Sequence, residues 1–237
     1  MNQNLILVTG ASSDIGLETV KLLLRSKEFV WGIYRNNEKE LHHLKKLYPK
    51  NLSLSKYNFI EKNEIYRYLD EVKEKQHQIK AFISLAAMRG SIEYGNISVD
   101  DLNNHFVVNT IPVVLAVQQL GDAMSKLGYG RIVIGSSIGV KFGGGPQSYC
   151  YSMTKFASEF LPSKAKDWSA SNVLSNIVRI GVTASSSMKD ENLIQRSNLI
   201  PMRRPATPIE IANFLVWLSS DKNTYITNQL IPVSGGE

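Results

Sequence analysis

Apolar runs of strand length alternate with longer segments of helical period along the whole of this chain. No other feature limits the fold as strongly. Two neighbouring strands joined through a helix run parallel, and a parallel sheet buries both faces under helices. Residues 5–8 read as the first strand, and 15–25 as a helix with Leu17, Val20, Leu23 and Leu24 on its inner side. Residues 29–34 give a second strand, and Leu41, Leu44 and Leu47 mark the next helix. A third strand at 52–57 precedes a helix carrying Ile65, Leu69 and Val72, and a fourth strand spans 81–86. The pattern then predicts one long helix over 99–126, a fifth strand at 131–135 and a helix over 149–169. Pro162 removes a backbone donor from that last helix and should kink it. Strands at 173–180 and 229–233, with a helix at 209–218 between them, complete a doubly wound parallel α/β sheet.

The 237 residues suit a single domain of this kind, and no repeat, linker or low-complexity tract divides them. The glycine-rich run at 143–146 reads as a loop ahead of a helix. No stretch approaches the roughly 18 consecutive apolar residues of a membrane helix. Residues 5–8 are too short for the apolar part of a secretion signal. The one cysteine, Cys150, excludes an internal disulfide and fits a reducing cytoplasm, with a buried spectator thiol as its simplest role. A net charge of +6 would suit nucleic acid, but Lys45-Lys46 and Arg203-Arg204 are the densest basic pairs and no aromatics interleave. Neither a nucleic acid nor a membrane is therefore expected as partner. His42, His43, His77 and His105 show no ligand spacing, so no metal is implied.

Two local patterns carry chemistry. The run Thr9-Gly10-Ala11-Ser12-Ser13-Asp14-Ile15-Gly16 joins the first strand to the first helix. At such a turn the helix start offers unpaired N–H groups and a positive dipole end, and glycine lets a pyrophosphate approach the backbone. Gly10 and Gly16 would allow that approach, Ser12 and Ser13 could add hydroxyl donors, and Asp14 would cap the helix facing away from the anion. At the end of the second strand an acidic residue would accept the ribose hydroxyls of NAD. Here no carboxylate precedes Glu38, and Arg35 can grip a 2′-phosphate, so NADP(H) is favoured over NAD(H). Further on, Tyr151 and Lys155 stand four residues apart, on one face of a helix. A free phenol holds its proton to about pH 10, and an adjacent cation favours the phenolate. The pair can therefore move a proton beside a hydride transfer, while Lys155 can also donate to ribose hydroxyls. Tyr149, six residues from Lys155, reads as a pocket wall.

In this order and at this separation, the turn and the Tyr/Lys pair resemble the short-chain dehydrogenase/reductase family. Its turn reads T-G-x-x-x-G-I-G, with Asp14 here replacing the middle glycine. The resemblance covers essentially the whole chain and implies a Rossmann-type single domain over 1–237, with Ile15 part of the cofactor turn. Counted from Gly130, it implies Ser137 as the substrate-orienting serine, with Ser136 open because the spacing to Tyr151 is one residue long. It implies that Asn109 breaks its helix ladder and holds a water relaying protons from Lys155. Asn58 matches the family's aspartate after the third strand, and Ser84-Leu85-Ala86-Ala87 its Asn-Asn-Ala-Gly, with Ala86 and Ala87 small enough for cofactor approach. Residues 176–181 resemble N-x-V-x-P-G with Ile180 in place of proline, so Gly181, Val182 and Ser185 would face the nicotinamide. Residues 183–202 would form a mobile lid over the substrate.

The implied activity is NADP(H)-dependent interconversion of a ketone and a secondary alcohol through Asn109, Ser137, Tyr151 and Lys155. A carrier-bound β-ketoacyl group and a small hydroxylated ketone both remain open as substrates. The changes at Asp14, Ser84-Leu85 and Ile180 leave an inactive dinucleotide-binding regulator as the alternative. By the same resemblance a homodimer or homotetramer is expected, through Val113, Val114, Leu115 and Val117 on one helix and Phe156, Phe160 and Leu161 on another.

Overall fold

The computed structural model describes residues 4–185 and 195–237. Its strands are β1 (Leu5–Thr9), β2 (Phe29–Tyr34), β3 (Leu52–Lys56), β4 (Ile79–Ser84), β5 (Gly130–Ser137), β6 (Val173–Ile180) and β7 (Leu230–Val233). They form one seven-stranded sheet in the order β3-β2-β1-β4-β5-β6-β7, and every neighbouring pair is parallel. The chain winds outward from β1 to β3 and then returns to β4 on the other side of β1. This reversal parts the loops that follow β1 and β4, opening the crevice where doubly wound sheets bind ligands.

One face of the sheet is covered by α1 (Asp14–Arg25), α2 (Lys39–Leu47) and α8 (Pro208–Leu218). The other lies under α3 (Lys62–Lys75), α4 (Val99–Asn109), α5 (Ile111–Leu127) and α7 (Ala165–Ala170), with α6 (Tyr149–Ala157) beside α4. Alternate strand residues feed the two cores. Leu7, Trp31 and Phe82 pack under α3 and α5, while Val8, Val30 and Ile83 pack under α1 and α2.

Two long helices expected from sequence are each broken. The first stops at Asn109 and restarts at Ile111, with Thr110 (φ −118°, ψ −53°) as the joint. Pro112 then sits in the first turn of α5, where its missing N–H has no intrahelical partner to lose. Taken together, Val99–Leu127 is long and apolar enough to cross a membrane, yet over half of its most apolar window is buried in this fold. Val113 and Val117 are part of that core, so they do not form the outer surface expected of them, whereas Ile111 and Val114 are exposed. The second long helix ends at Ala157 and resumes as α7 at Ala165. Pro162 therefore lies between helices and kinks neither, and its carbonyl accepts from Ala165 N at 2.8 Å.

β4 also ends earlier than its apolar run, at Ser84, which leaves Leu85, Ala86 and Ala87 in the loop beside the crevice. The flanks of the expected lid are tied to the C-terminal part of the chain. Ala184 N donates to Ala206 O at 2.8 Å, Met202 N to Gly235 O at 3.1 Å, and Ile200 is buried. The centre of that segment, including Ser186, Ser187 and Met188, lies outside the described residues.

Candidate active site

The crevice begins where β1 meets the loop after β4. Thr9 Oγ1 accepts from Leu85 N and Ala86 N, both at 3.3 Å, and so holds the two loops together. Gly10 adopts φ +70°, and a Cβ there would lie 2.7 Å from Ala86 N, so a side chain would both strain the backbone and force the loops apart. A Cβ on Gly16 would lie 2.1 Å from Gly10 O. The cap of α1 is Ser13 rather than Asp14: its Oγ accepts from Gly16 N at 3.1 Å and donates to Gly10 O at 2.8 Å. That leaves Ser13 no hydroxyl hydrogen for a phosphate. Asp14 is the first residue of α1, where the helix dipole favours a carboxylate. Ile15 points elsewhere, packing partly buried against the β5–β6–α8 cluster.

From this turn a cleft of about 270 Å³ runs past Ser12, Arg35 and Asn58 to Ala86 and Ala87. Asn58 Oδ1 is buried in it with no hydrogen-bond partner among the described residues. Burying an acceptor in this way is costly unless an N–H reaches it, which an adenine amine could supply. Arg35 is exposed, makes no ion pair among the described residues, and borders both this cleft and an adjoining one lined by Asn36 and Lys56. Lys56 lies beside Tyr34 in the sheet register and bonds Glu38 at 2.9 Å. That bond holds the Glu38 carboxyl below the usual range and partly neutralises the first carboxylate after β2. The residues present thus fit an adenine dinucleotide, with Arg35 and the Lys56–Glu38 pair near the rim of the cleft.

At the other end of the crevice, Tyr151 is the third residue of α6 and is half-buried. One turn later Lys155 is 3% exposed and its Nζ donates to Gly135 O at 2.8 Å. Burial, with a smaller contribution from the charge of Arg89, lowers the Lys155 pKa to about 8. An ammonium has three hydrogens, and one of them reaches a protein acceptor among the described residues. Asn109 is fully buried. Its Nδ2 donates to Met88 O (3.0 Å) and Thr154 Oγ1 (2.9 Å), and its Oδ1 accepts from Met88 N (2.7 Å). Its backbone carbonyl accepts from Ser158 Oγ at 3.0 Å. Both amide hydrogens are thus committed to protein acceptors, and Asn109 ties the β4 loop to α6; a water could meet it only at its carbonyl oxygens.

The two serines at the end of β5 face different partners. Ser136 is buried and donates to Glu159 Oε1 at 2.7 Å. Ser137 is half-buried and accepts from Gly139 N at 3.1 Å, and its hydroxyl hydrogen has no acceptor among the described residues. A Cβ on Gly139 would lie 3.3 Å from both Ser137 Oγ and Ser152 Oγ, which sets Ser137 close to α6. Beyond β6, the Gly181 amide is used by Val233 O (2.9 Å) and the Val182 carbonyl by Ala206 N (2.9 Å). Ser185 is the last residue described on that side. Tyr149 stacks edge-on against Tyr94 at 5.0 Å.

Two features escape a reading of motifs. Arg89 lies with its guanidinium carbon 5.8 Å from the centroid of the Tyr151 ring. The available signal was position alone, a basic residue just past the C-terminal end of a strand. The other is Glu159, which pairs with Arg179 through two bonds of 2.8 and 2.7 Å behind the site. Its spacing from Lys155 suggests a helical ion pair, but α6 ends first and carries Glu159 to a strand residue instead.

The comparisons with known proteins agree with this geometry. A family model described as enoyl-(acyl carrier protein) reductase matches residues 10–237. A 3-oxoacyl-[acyl-carrier-protein] reductase FabG of Buchnera aphidicola is 30% identical over 97% of this chain and 95% of its own length. A 3alpha-hydroxysteroid dehydrogenase of Mediterraneibacter gnavus is 25% identical over 99% and 97%. Among solved structures, a short-chain dehydrogenase/reductase from Serratia marcescens superposes with a TM-score of 0.87, covering 99% of this chain and 98% of that one at 21% identity. ElxO with NADP bound gives 0.85 at 21% identity and 98% coverage of both. The chain belongs to the short-chain dehydrogenase/reductase family and is an oxidoreductase that uses a nicotinamide dinucleotide.

Proposed function

We propose that this enzyme interconverts a ketone and a secondary alcohol with NADP(H), using Tyr151 as the acid in reduction and the base in oxidation. The observation that carries this reading is Lys155, a buried ammonium one helical turn from Tyr151 that has a single acceptor among the described residues. The bound nicotinamide supplies or accepts the hydride. As the carbonyl oxygen gains negative charge, Tyr151 Oη gives it a proton and Ser137 Oγ donates a hydrogen bond. Ser137 is preferred to Ser136, whose hydrogen is committed to Glu159. The charge of Lys155 stabilises the phenolate left behind, and its remaining hydrogens suit the ribose hydroxyls. Asn109 is a positioning residue that keeps the β4 loop and α6 in register.

NADP(H) is favoured because Arg35 faces the cleft without an ion-pair partner among the described residues and Lys56 masks Glu38. The NADP carried by a protein of the same fold is consistent with that choice. Gly10, Ser12, Asn58, Ala86 and Ala87 would line the dinucleotide, with Gly181, Val182 and Ser185 at its nicotinamide end. An inactive regulator would have no use for a buried cation beside a phenol. The partner is thus a small carbonyl or alcohol, in the cytoplasm, where the buried free thiol of Cys150 is at home. Exposed Val114, Phe156 and Phe160 suit a homodimer or homotetramer.

Titration with NADPH and NADH, followed by nicotinamide fluorescence, tests the cofactor. NADPH should bind at least about tenfold tighter, a difference of roughly 1.4 kcal/mol, and Arg35→Met should erase it. Tighter binding of NADH would overturn the NADP(H) reading. A ketone panel in the presence of NADPH then tests the reaction, and turnover undiminished in Tyr151→Phe would overturn the role of the phenol.

A further inference from the structure

We propose that Arg89 is a substrate-binding residue and that the substrate carries an anionic group, carboxylate or phosphate, close to its reacting carbonyl. This rests on the ketone–alcohol reading of the site and adds a substrate class to it. The main chain around Arg89 is held from three directions. Both backbone polar groups of Met88 bond the Asn109 side chain, at 2.7 and 3.0 Å. Arg89 O meets His105 Nε2 at 3.1 Å, and His105 Nδ1 in turn meets Asp101 O at 2.7 Å. Gly90 takes φ +67°, and a Cβ there would lie 2.7 Å from the His105 ring. The loop therefore presents residue 89 from a fixed position.

The side chain itself is treated differently. Arg89 is exposed and makes no hydrogen bond or ion pair among the described residues, in contrast to Arg179, Arg131 and Arg204. Its guanidinium carbon sits 5.8 Å from the Tyr151 ring centroid, which sets the cation over the ring beside the proposed site of proton transfer. A cation here repels Lys155 and is the second cause of that lysine's lowered pKa, so placing it there is unfavourable for the protein alone. The cofactor's phosphates would lie against Gly10, Ser12 and Arg35, which line a cleft that Arg89 does not line. A planar guanidinium recognises carboxylate or phosphate through two parallel hydrogen bonds. An anion brought by the substrate would neutralise the charge and fix the carbonyl against Tyr151. The Tyr94–Tyr149 pair and the backbone bond from Ile92 N to Gln147 O (3.1 Å) close the loop wall next to it.

The test uses paired ketones that differ only in charge: 2-oxo- and 3-oxo-carboxylates against their methyl esters, and phosphorylated ketones against the free alcohols. The quantity read is the ratio of kcat/KM for the charged over the neutral member, in the wild type and in Arg89→Met. The wild type should favour one charged series, and the ratio should fall ten- to a hundredfold in the variant, whatever loss both members share. The series that shows the drop tells carboxylate from phosphate. An equal loss for both members, or a wild type that prefers the neutral member, overturns the proposal and leaves Arg89 serving only Tyr151. Calorimetric titration of the same pairs into the NADP⁺ complex provides a readout without turnover. Charged ligands that bind the wild type and not Arg89→Met uphold the anion site even if no ketone is reduced. Failure of every charged ligand to bind sinks it even if neutral ketones are turned over.

Discussion

Two buried cations stand at opposite ends of the sheet. Arg131, at the start of β5, is 1% exposed; Lys155, over the end of the same strand, is 3% exposed. Arg131 bonds the backbone carbonyls of Gly130, Asn172, Ser220 and Asn223 at 2.8 to 3.2 Å and lies 4.4 Å from the Tyr129 ring centroid. Lys155 has one carbonyl among the described residues. Desolvation lowers both pKa values, but only the lysine is brought to about 8, near physiological pH. A buried charge whose donors are all used holds chain segments together. One whose donors are left over is kept for something that arrives later. In the proposed mechanism the β5 strand thus has a structural end and a reactive end, and the count of satisfied donors separates them.

That contrast breaks most visibly through substitution. Lys155→Met should lower kcat by about a thousandfold, roughly 4 kcal/mol of transition-state stabilisation, without lowering the melting temperature at pH 7. Steady-state rates and a thermal melt on the same sample check it. A variant that melts well below the wild type would place Lys155 with Arg131 as a structural cation. Arg131→Met should do the reverse. Four carbonyls lose their donor, and stability should fall by roughly 3 to 4 kcal/mol in urea unfolding. Activity per folded molecule should stay within about threefold, since the change lies at the far end of the strand. A selective collapse of kcat with stability intact would end the division between the two ends.

Most of the sheet was legible in the sequence because most strands are short apolar runs bounded by polar residues, although β3 alternates leucine with serine. The boundaries at 29–34 and 173–180 are those observed. The helices were less legible, since apolar period continues smoothly across breaks. Nothing in the periodicity of 99–126 marks Thr110, whose hydroxyl is turned to Thr154 O at 3.0 Å across the helix pair. Pro162 is visible but suggests a kink, because the pattern around it does not show that the chain leaves the helix at Ser158. At the site, motif spacing points to Gly10, Tyr151 and Lys155, whose positions follow from local geometry. It cannot say that Ser13 commits its hydrogen to Gly10 O, or that Asn109 commits its amide to Met88 and Thr154. Those hydrogen bonds are settled only once the chain is folded. Arg89 and Lys56 are hidden for the same reason, as each gains its meaning from a neighbour on another element.

The smallest effect expected is also the most direct measure of the lysine's leftover donors. An unfolded lysine titrates near 10.5, while in the cofactor-free fold Lys155 titrates at about 8. Between those pH values the unfolded chain carries one more proton at this group than the folded chain does, so stability from this group rises with pH. The penalty for burying the ammonium is complete below pH 8 and is relieved as pH climbs towards 10.5. Its size is at most on the order of 3 kcal/mol, since each tenfold weakening of proton binding corresponds to about 1.4 kcal/mol. Other groups titrate in the same range, so the quantity to follow is the stability of the wild type relative to Lys155→Met, measured by urea unfolding at steps from pH 7 to 10.5. The difference should move in favour of the wild type above pH 8, whereas the difference between the wild type and Arg131→Met should show no such slope, because a guanidinium stays charged throughout. Saturating NADP⁺ should flatten the lysine slope, since ribose hydroxyls would take up the free hydrogens and hold the ammonium charged. A slope that is the same with and without the cofactor would mean that Lys155 does not meet it.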